Sequence, residues 1–259
     1  MSTEPAPPAA FRREGEHFAV ELPGATALFT TRRGGHSSGP YESLNLGRLT
    51  DDHRETVQSN LRRVQSACGA RLLWGRQVHG TEVIVHDRNA RLAPAEDPEP
   101  SPDPGDGRLA VEPGLAPMVL TADCLAVIVA GHGGVAALHA GWRGLAGGVI
   151  QTGVRKLREA GVGGELQAAI GPHARVCCYE VGDEVHGAFA AAGHGDARGG
   201  RNRRNLDMTL IAVRQLRQAG VREVHDLGLC TICSDPGLFF SHRRDHGVTG
   251  RQAGLGWLS

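Results

Sequence analysis

A single α/β domain built on a mixed sheet is the fold class this sequence predicts, on three observations. Short apolar runs alternate with amphipathic segments at helical spacing along the chain. Several of the short runs are joined by Gly-rich turns, the mark of antiparallel hairpins within the sheet. A chain of 259 residues is also long enough for a sizeable core.

Composition narrows the setting. Lys plus Arg and Asp plus Glu number 28 each, so no charge bias steers the chain towards nucleic acid or a membrane surface. The opening MSTEPAPPAA lacks the basic-then-apolar order of a secretory signal. No apolar run approaches the length of a membrane span. Cysteines at 68, 124, 177, 178, 230 and 233 are too sparse for a secreted disulfide scaffold. The expectation is a cytoplasmic protein with reduced thiols and with neither a nucleic acid nor a membrane as partner. No pattern here speaks to oligomeric state.

Residues 1–10 read as a disordered polar tail, and 11–259 as the domain. Residues 25–31 read as a buried strand, and the Gly-rich stretch 32–47 that follows as a loop. A helix is expected over 51–69, where Val57, Leu61, Val64 and Cys68 recur at helical spacing, with Asp51 and Asp52 at its start and Gly69 at its end. Arg62 and Arg63 fall on its solvated face and Cys68 on its core stripe. Strands over 72–75 and 82–86 flank Gln77-Val78-His79-Gly80. Residues 91–107, RLAPAEDPEPSPDPGDG, hold five prolines and five acidic residues and read as a mobile insertion, too poor in apolar groups to form a core.

The chain turns on residues 121–144, TADCLAVIVAGHGGVAALHAGWRG. Two apolar runs joined by Gly131-His132-Gly133-Gly134 predict a β-hairpin. Cys124 stands at one end and His139 at the other, able to face each other across an antiparallel pair. With His79 they make two imidazoles and one thiolate, the ligand set of an open catalytic zinc site. Spacing alone leaves this open: a core cysteine and two turn histidines account for the same residues, and no compact zinc pattern is present.

Beyond the hairpin, 145–161 reads as a helix stopped by Gly161, and 166–170 as a strand. Cys177 and Cys178 are expected as packing residues, because neighbours on a regular strand point to opposite faces. The loop 193–205, with Arg198, Arg201, Arg203 and Arg204, reads as solvated charge without the aromatics of a nucleic-acid surface. Asp207 caps a helix ending at Gly220, and a strand over 223–229 leads to Cys230-Thr231-Ile232-Cys233. That CxxC has no second CxxC to complete a zinc pattern and no thioredoxin-like context. There is no internal repeat.

The words QVHG, ADC and HAGWRG, in this order, resemble the signature of the YfiH/laccase-domain family, also called the peptidoglycan editing factor family. TTRRGG, SLNLG, CCYEVG and FFSHRRD followed by TGRQ extend the resemblance from about residue 25 to the end. Residues 106–110 match the family's A-D-A-L-V-T loosely, with Arg108 a departure. The resemblance implies layered mixed sheets flanked by helices, similar to the cytotoxic necrotizing factor catalytic domain and other Cys/His deamidases. It implies zinc, or less readily copper, on His79, Cys124 and His139. It also implies phosphorolysis of purine nucleosides (adenosine, inosine, methylthioadenosine) with some adenosine deamination. For catalysis the candidates are Cys124, His139, Asp123, to orient a ligand His or shuttle a proton, and Arg143, to bind phosphate. For the substrate they are Arg32, as an anion site, and Asn45, as a hydrogen-bonding group. A multicopper laccase is excluded, since the 13 histidines include no H-x-H pair. A metal-free Cys124/His139 hydrolase acting on peptidoglycan precursors is the nearest rival. A binding module with a structural metal fits poorly, because structural zinc is four-coordinate.

Overall fold

The structure, a computed structural model, describes residues 7–86, 97–200 and 203–259. Two six-stranded mixed sheets pack face to face. The first runs in the order β1 (Arg12–Glu14), β2 (His17–Leu22), β3 (Ala25–Phe29), β14 (Gln252–Leu258), β7 (Leu115–Thr121), β4 (Arg71–Leu73). The second runs β13 (Val221–Asp226), β10 (Leu166–Ile170), β8 (Leu125–Gly131), β9 (Gly134–Ala140), β6 (Gly107–Ala110), β5 (Val83–His86). A two-stranded ribbon, β11 (Arg198–Gly199) with β12 (Asn205–Leu206), lies apart. Most neighbours are antiparallel, while β4–β7, β5–β6 and β10–β13 are parallel.

Side-chain parity explains the layering. On β8, Ala126, Ile128 and Ala130 face the first sheet and meet Phe18, Phe29 and Val119. Leu125, Val127 and Val129 face the other way, onto a helical layer. That layer holds α2 (Trp142–Gly147), α3 (Val149–Glu159), α4 (Asp183–Ala191) and α5 (Met208–Gln218). Both faces of the hairpin are therefore covered, which is why its strands are unbroken apolar runs rather than alternating ones. On the far side, α1 (Arg54–Cys68) lays Val57, Leu61, Val64 and Cys68 against Leu28, Met118 and Leu255. The order is helix, sheet, sheet, helices, as the resemblance implied.

Three expectations change. The helix over 145–161 is two helices: it begins at Trp142 and breaks at Gly148, whose φ of 89° belongs to the left-handed region. The disordered tail of 1–10 lies outside the described residues for 1–6, but the Phe11 N–H donates to the Pro8 carbonyl at 2.8 Å and Phe11 is buried. Likewise 91–96 of the expected insertion lies outside the described residues, whereas 97–107 is anchored. Asp97 pairs with Arg62, Glu99 with Arg48, Ser101 bridges to Gly75, and Asp106 is fully buried. Composition describes what a segment offers to its own core. It does not register ion pairs and backbone bridges made to elements elsewhere.

Candidate metal centre and its cleft

His79, Cys124 and His139 converge at one end of the central hairpin, their ligand atoms all within 4.8 Å of one another. The hairpin register pairs Ala126 with His139 and Leu125 with Ala140. Cys124 is therefore diagonal to His139, not opposite it, a separation side chains still span. The two imidazoles meet edge to face with ring centroids 4.9 Å apart. His79 holds a φ of 58°, uncommon for a non-glycine residue. Its loop is fixed on one side by Gln77, whose amide exchanges two 2.8 Å bonds with the backbone of Leu120 at the end of β7.

Asp106 organises the rest. Its carboxylate accepts from the backbone N–H groups of Val78, His79 and Gly80 at 3.1, 2.9 and 2.8 Å. It also accepts from His139 Nδ1 at 2.7 Å. One buried group thus shapes the loop that presents His79 and fixes the tautomer of His139, leaving Nε2 for the thiolate or an ion. This is the carboxylate–histidine arrangement of metal sites. Burial raises the Asp106 carboxyl's pKa, but His139 and the backbone donors outweigh it and hold it below the ordinary value.

The donor set suits a borderline-soft cation. Burial alone disfavours charge on both Cys124 and His139. Their mutual attraction, helped by His79 on one side and Asp106 on the other, wins: the thiol is drawn down to about 6 and the imidazole up to about 9. Without metal the pair is a thiolate and an imidazolium, and a divalent ion replaces the shared proton. Room for it is built into the backbone. A Cβ on Gly141 would lie 2.8 Å from His79 Cδ2, 3.2 Å from Cys124 Sγ and 3.6 Å from His139 Cε1, so only glycine keeps this cradle open. Gly144 does the same one turn later, where a Cβ would meet the Gly80 carbonyl at 2.7 Å. The residues present therefore fit zinc, with a fourth position for water or substrate. Copper is compatible with the same donors.

Beside this centre opens a cleft of about 610 Å³ whose walls include Trp142, Arg143, Tyr179, Arg198, Arg204 and Arg243. Arg143 is exposed, stacks on Trp142 at 4.2 Å and pairs with no carboxylate among the described residues. Arg243 leans over Tyr179 at 5.3 Å. Burial first, then the Cys124 charge, pushes the Tyr179 hydroxyl up to about 12.

Three expected site residues do other work. Asp123 does not reach a ligand histidine. With φ 90° it accepts from Thr231 Oγ1 at 2.6 Å and from the Arg243 N–H at 2.7 Å, tying two distant loops to the residue before Cys124. The orienting role falls to Asp106. Asn45 is fully buried and fully engaged: Nδ2 donates to Thr50 and Asp52, and Oδ1 accepts from the N–H groups of Gly47 and Arg251. No hydrogen-bonding capacity is left for a substrate. Arg32 donates to the carbonyls of Pro40 and Glu42 in its own loop and of Pro236 in another, and lies 4.5 Å over Phe240, so most of its guanidinium braces these two loops. Sequence reasoning missed Asp106, Tyr179, Arg243 and Arg251, whose guanidinium lies close enough to feel the Cys124 and Asp123 charges. The signal for Asp106 was a lone Asp-Gly entering β6, hidden by the acidic run before it.

A Cys/His/His cluster able to hold a metal at the end of a buried hairpin, beside a cleft lined by arginines, aromatic rings and three carboxylates, defines an α/β protein with a candidate metal centre. The chain belongs to the YfiH/laccase-domain family: the family described as multi-copper polyphenol oxidoreductase laccase matches residues 26–259. It is 40% identical over 241 residues to the Pseudomonas aeruginosa protein named purine nucleoside phosphorylase, covering 90% of this chain and 93% of that one. It is 35% identical over 250 residues to purine nucleoside phosphorylase YfiH of Escherichia coli, covering 91% and 94%. The crystal structure of the Bacillus licheniformis hypothetical protein YfiH superposes with a TM-score of 0.88 at 28% identity, over 97% of this chain and 100% of that one.

Proposed function

We propose that this chain is a cytoplasmic, zinc-dependent purine nucleoside phosphorylase converting adenosine, inosine and methylthioadenosine to free base and the corresponding pentose 1-phosphate. The observation that carries the reading is the open Cys/His/His set beside an unpaired Arg143. The names of the relatives support the reaction class. When bound on His79, Cys124 and His139, zinc supplies Lewis acidity at its open position.

The remaining chemistry falls to side chains. A phosphate oxygen bonds to the anomeric carbon as the bond to the purine nitrogen breaks, and the purine leaves with the electron pair and takes up a proton. Arg143 and Arg243 neutralise the phosphate and fix its approach. Trp142 and Tyr179 offer flat faces to the purine. Tyr179, with its pKa pushed up to about 12, keeps its proton and donates it as a hydrogen bond to the leaving base. Adenosine deamination at the same centre would instead have water attack C6 of the adenine, with ammonia leaving and inosine formed. The rival Cys/His hydrolase rests on the thiolate–imidazolium pair of the metal-free site, but a thiolate committed to an ion is a poor acyl nucleophile.

Inosine separates these readings. Metal-replete protein is expected to release hypoxanthine and ribose 1-phosphate only when phosphate is present, to lose this on chelation and to regain it with zinc. Inosine left intact in excess phosphate, together with chelation-resistant hydrolysis of a muropeptide precursor, overturns the proposal in favour of the hydrolase.

A further inference from the structure

The two cysteine pairs that the sequence left apart come together. The strands β10 and β13 are parallel neighbours, with Ile170 beside Asp226, so the loops leaving their C-terminal ends emerge side by side. A bridge between His173 and Cys230 continues the pairing past the sheet, and Arg175 locks it with a 2.8 Å ion pair to Asp226. One loop then turns on Arg175, whose carbonyl accepts from the N–H groups of Cys178 and Tyr179. The other turns at Cys230, whose carbonyl accepts from Ser234 at 3.1 Å. Cys177 and Cys178 therefore lie in a turn, not on a strand, and the rule that adjacent side chains diverge does not apply. All four sulfurs lie within 4.8 Å of one another.

We propose that Cys177, Cys178, Cys230 and Cys233 form a second metal site, a closed tetrathiolate centre for a soft divalent cation of the zinc class. The spacing fits a tetrahedral centre. Zinc–thiolate bonds of about 2.3 Å imply sulfur–sulfur edges of roughly 3.8 Å, and Cys177 and Cys233 stand 3.7 Å apart. Four thiolates within 4.8 Å of one another repel unless a cation lies between them. The guanidinium of Arg175 lies beside Cys177 and offsets part of the charge of a four-thiolate centre. Cys177 and Cys233 are exposed, which gives the ion an entry path.

The site is distinct from the Cys/His/His centre but braces it. Thr231, inside the CxxC turn, donates to Asp123, and Tyr179, next to Cys178, lines the cleft. A closed four-ligand centre is structural, not catalytic, and here it joins the two loops that carry these groups.

Zinc counting on a background lacking the first site tests this independently of any activity. Protein carrying His79→Ala and His139→Ala, purified under reductant with zinc supplied, is expected to retain one zinc per chain. Adding Cys177→Ser and Cys233→Ser is expected to remove it. Because the quadruple variant can fail to fold, the double variant is also loaded with cobalt, where four thiolates give an intense sulfur-to-cobalt charge-transfer band and a tetrahedral ligand-field spectrum. A zinc-free double variant, a cobalt spectrum without thiolate ligation, or zinc retained after the serine substitutions overturns the proposal. So does a Cys177–Cys233 disulfide as the form isolated under reductant.

Discussion

Replacing Asp106 by Asn separates the organising role of this carboxylate from its bulk. Oδ1 accepts from the His79 N–H and His139 Nδ1, and Oδ2 from the N–H groups of Val78 and Gly80. An asparagine amide keeps one oxygen. Whichever way it is turned, its NH₂ faces two donors, so two of the four bonds are lost and two like dipoles are opposed. Hydrogen bonds to a charged group contribute about 1.5–3 kcal/mol each, so roughly 3–6 kcal/mol of local order is removed from the His79 loop and the His139 ring. Most of that appears as loop disorder and not global unfolding, because the strands behind it are held by the apolar cores. Removing a partner of a metal ligand typically weakens metal affinity by about 10–100-fold, which is the change expected for zinc at His79, Cys124 and His139. The assay is competition against a chromophoric chelator, with the four-cysteine centre counted separately in His79→Ala/His139→Ala protein. In metal-free protein the imidazole of His139, held at about 9 by Cys124 first and Asp106 second, titrates lower in the variant, readable by NMR. Wild-type zinc affinity together with an unmoved His139 titration refutes the assignment of Asp106 as the orienting group.

Two further expectations distinguish roles within the site. Arg143→Ala removes a guanidinium with no carboxylate partner among the described residues, so kcat/KM for phosphate falls by about 10–100-fold, the equivalent of one charge-assisted bond, with little change in thermal stability. Arg32→Ala, which removes three carbonyl contacts, lowers the melting temperature and leaves phosphate KM near wild type. The reverse pattern in steady-state kinetics and thermal melts contradicts both assignments. In protein carrying Cys177→Ser and Cys233→Ser, so that only the Cys/His/His centre takes the metal, Cys124 and His139 together release about one proton on zinc uptake between pH 6 and pH 9, because Cys124 is already ionised above about 6 while His139 holds its proton up to about 9. Above that window the release falls towards none, and below it rises towards two. Calorimetry in buffers of different ionisation enthalpy reads the number, and a buffer-independent heat at neutral pH contradicts the thiolate–imidazolium pair.

The hairpin, the helix over α1 and the three residues of the Cys/His/His cluster were legible because each is signalled locally. A Gly-rich turn between apolar runs, a helical stripe ending in a left-handed Gly69 and a family word around each ligand need no tertiary context. What stayed hidden was built from long-range pairing. Asn45 and Arg32 have the chemistry of substrate-binding side chains, and nothing in the sequence reveals that Asn45 is fully engaged and Arg32 largely so, with partners up to 206 positions away. Asp106 sat at the end of an acidic, proline-rich run whose composition reads as solvated, yet the three N–H groups of residues 78–80 repay its burial.

The cysteine pairs carry this furthest. Read along the chain, CC is a packing pair and a single CxxC is an incomplete zinc motif, because the ligand-spacing rules apply to one contiguous segment. The parallel pairing of β10 with β13 removes that restriction. Parallel neighbours end at the same edge of a sheet, so the loops after them are adjacent although Cys178 and Cys230 lie 52 positions apart in the numbering. Two half-motifs are then equivalent to one whole motif. What decides whether they complete a site is the turn geometry at Arg175 and at Cys230, which brings the four sulfurs within 4.8 Å of one another. That geometry is fixed by the sheet edge and by the Arg175–Asp226 pair, and no local spacing rule encodes either.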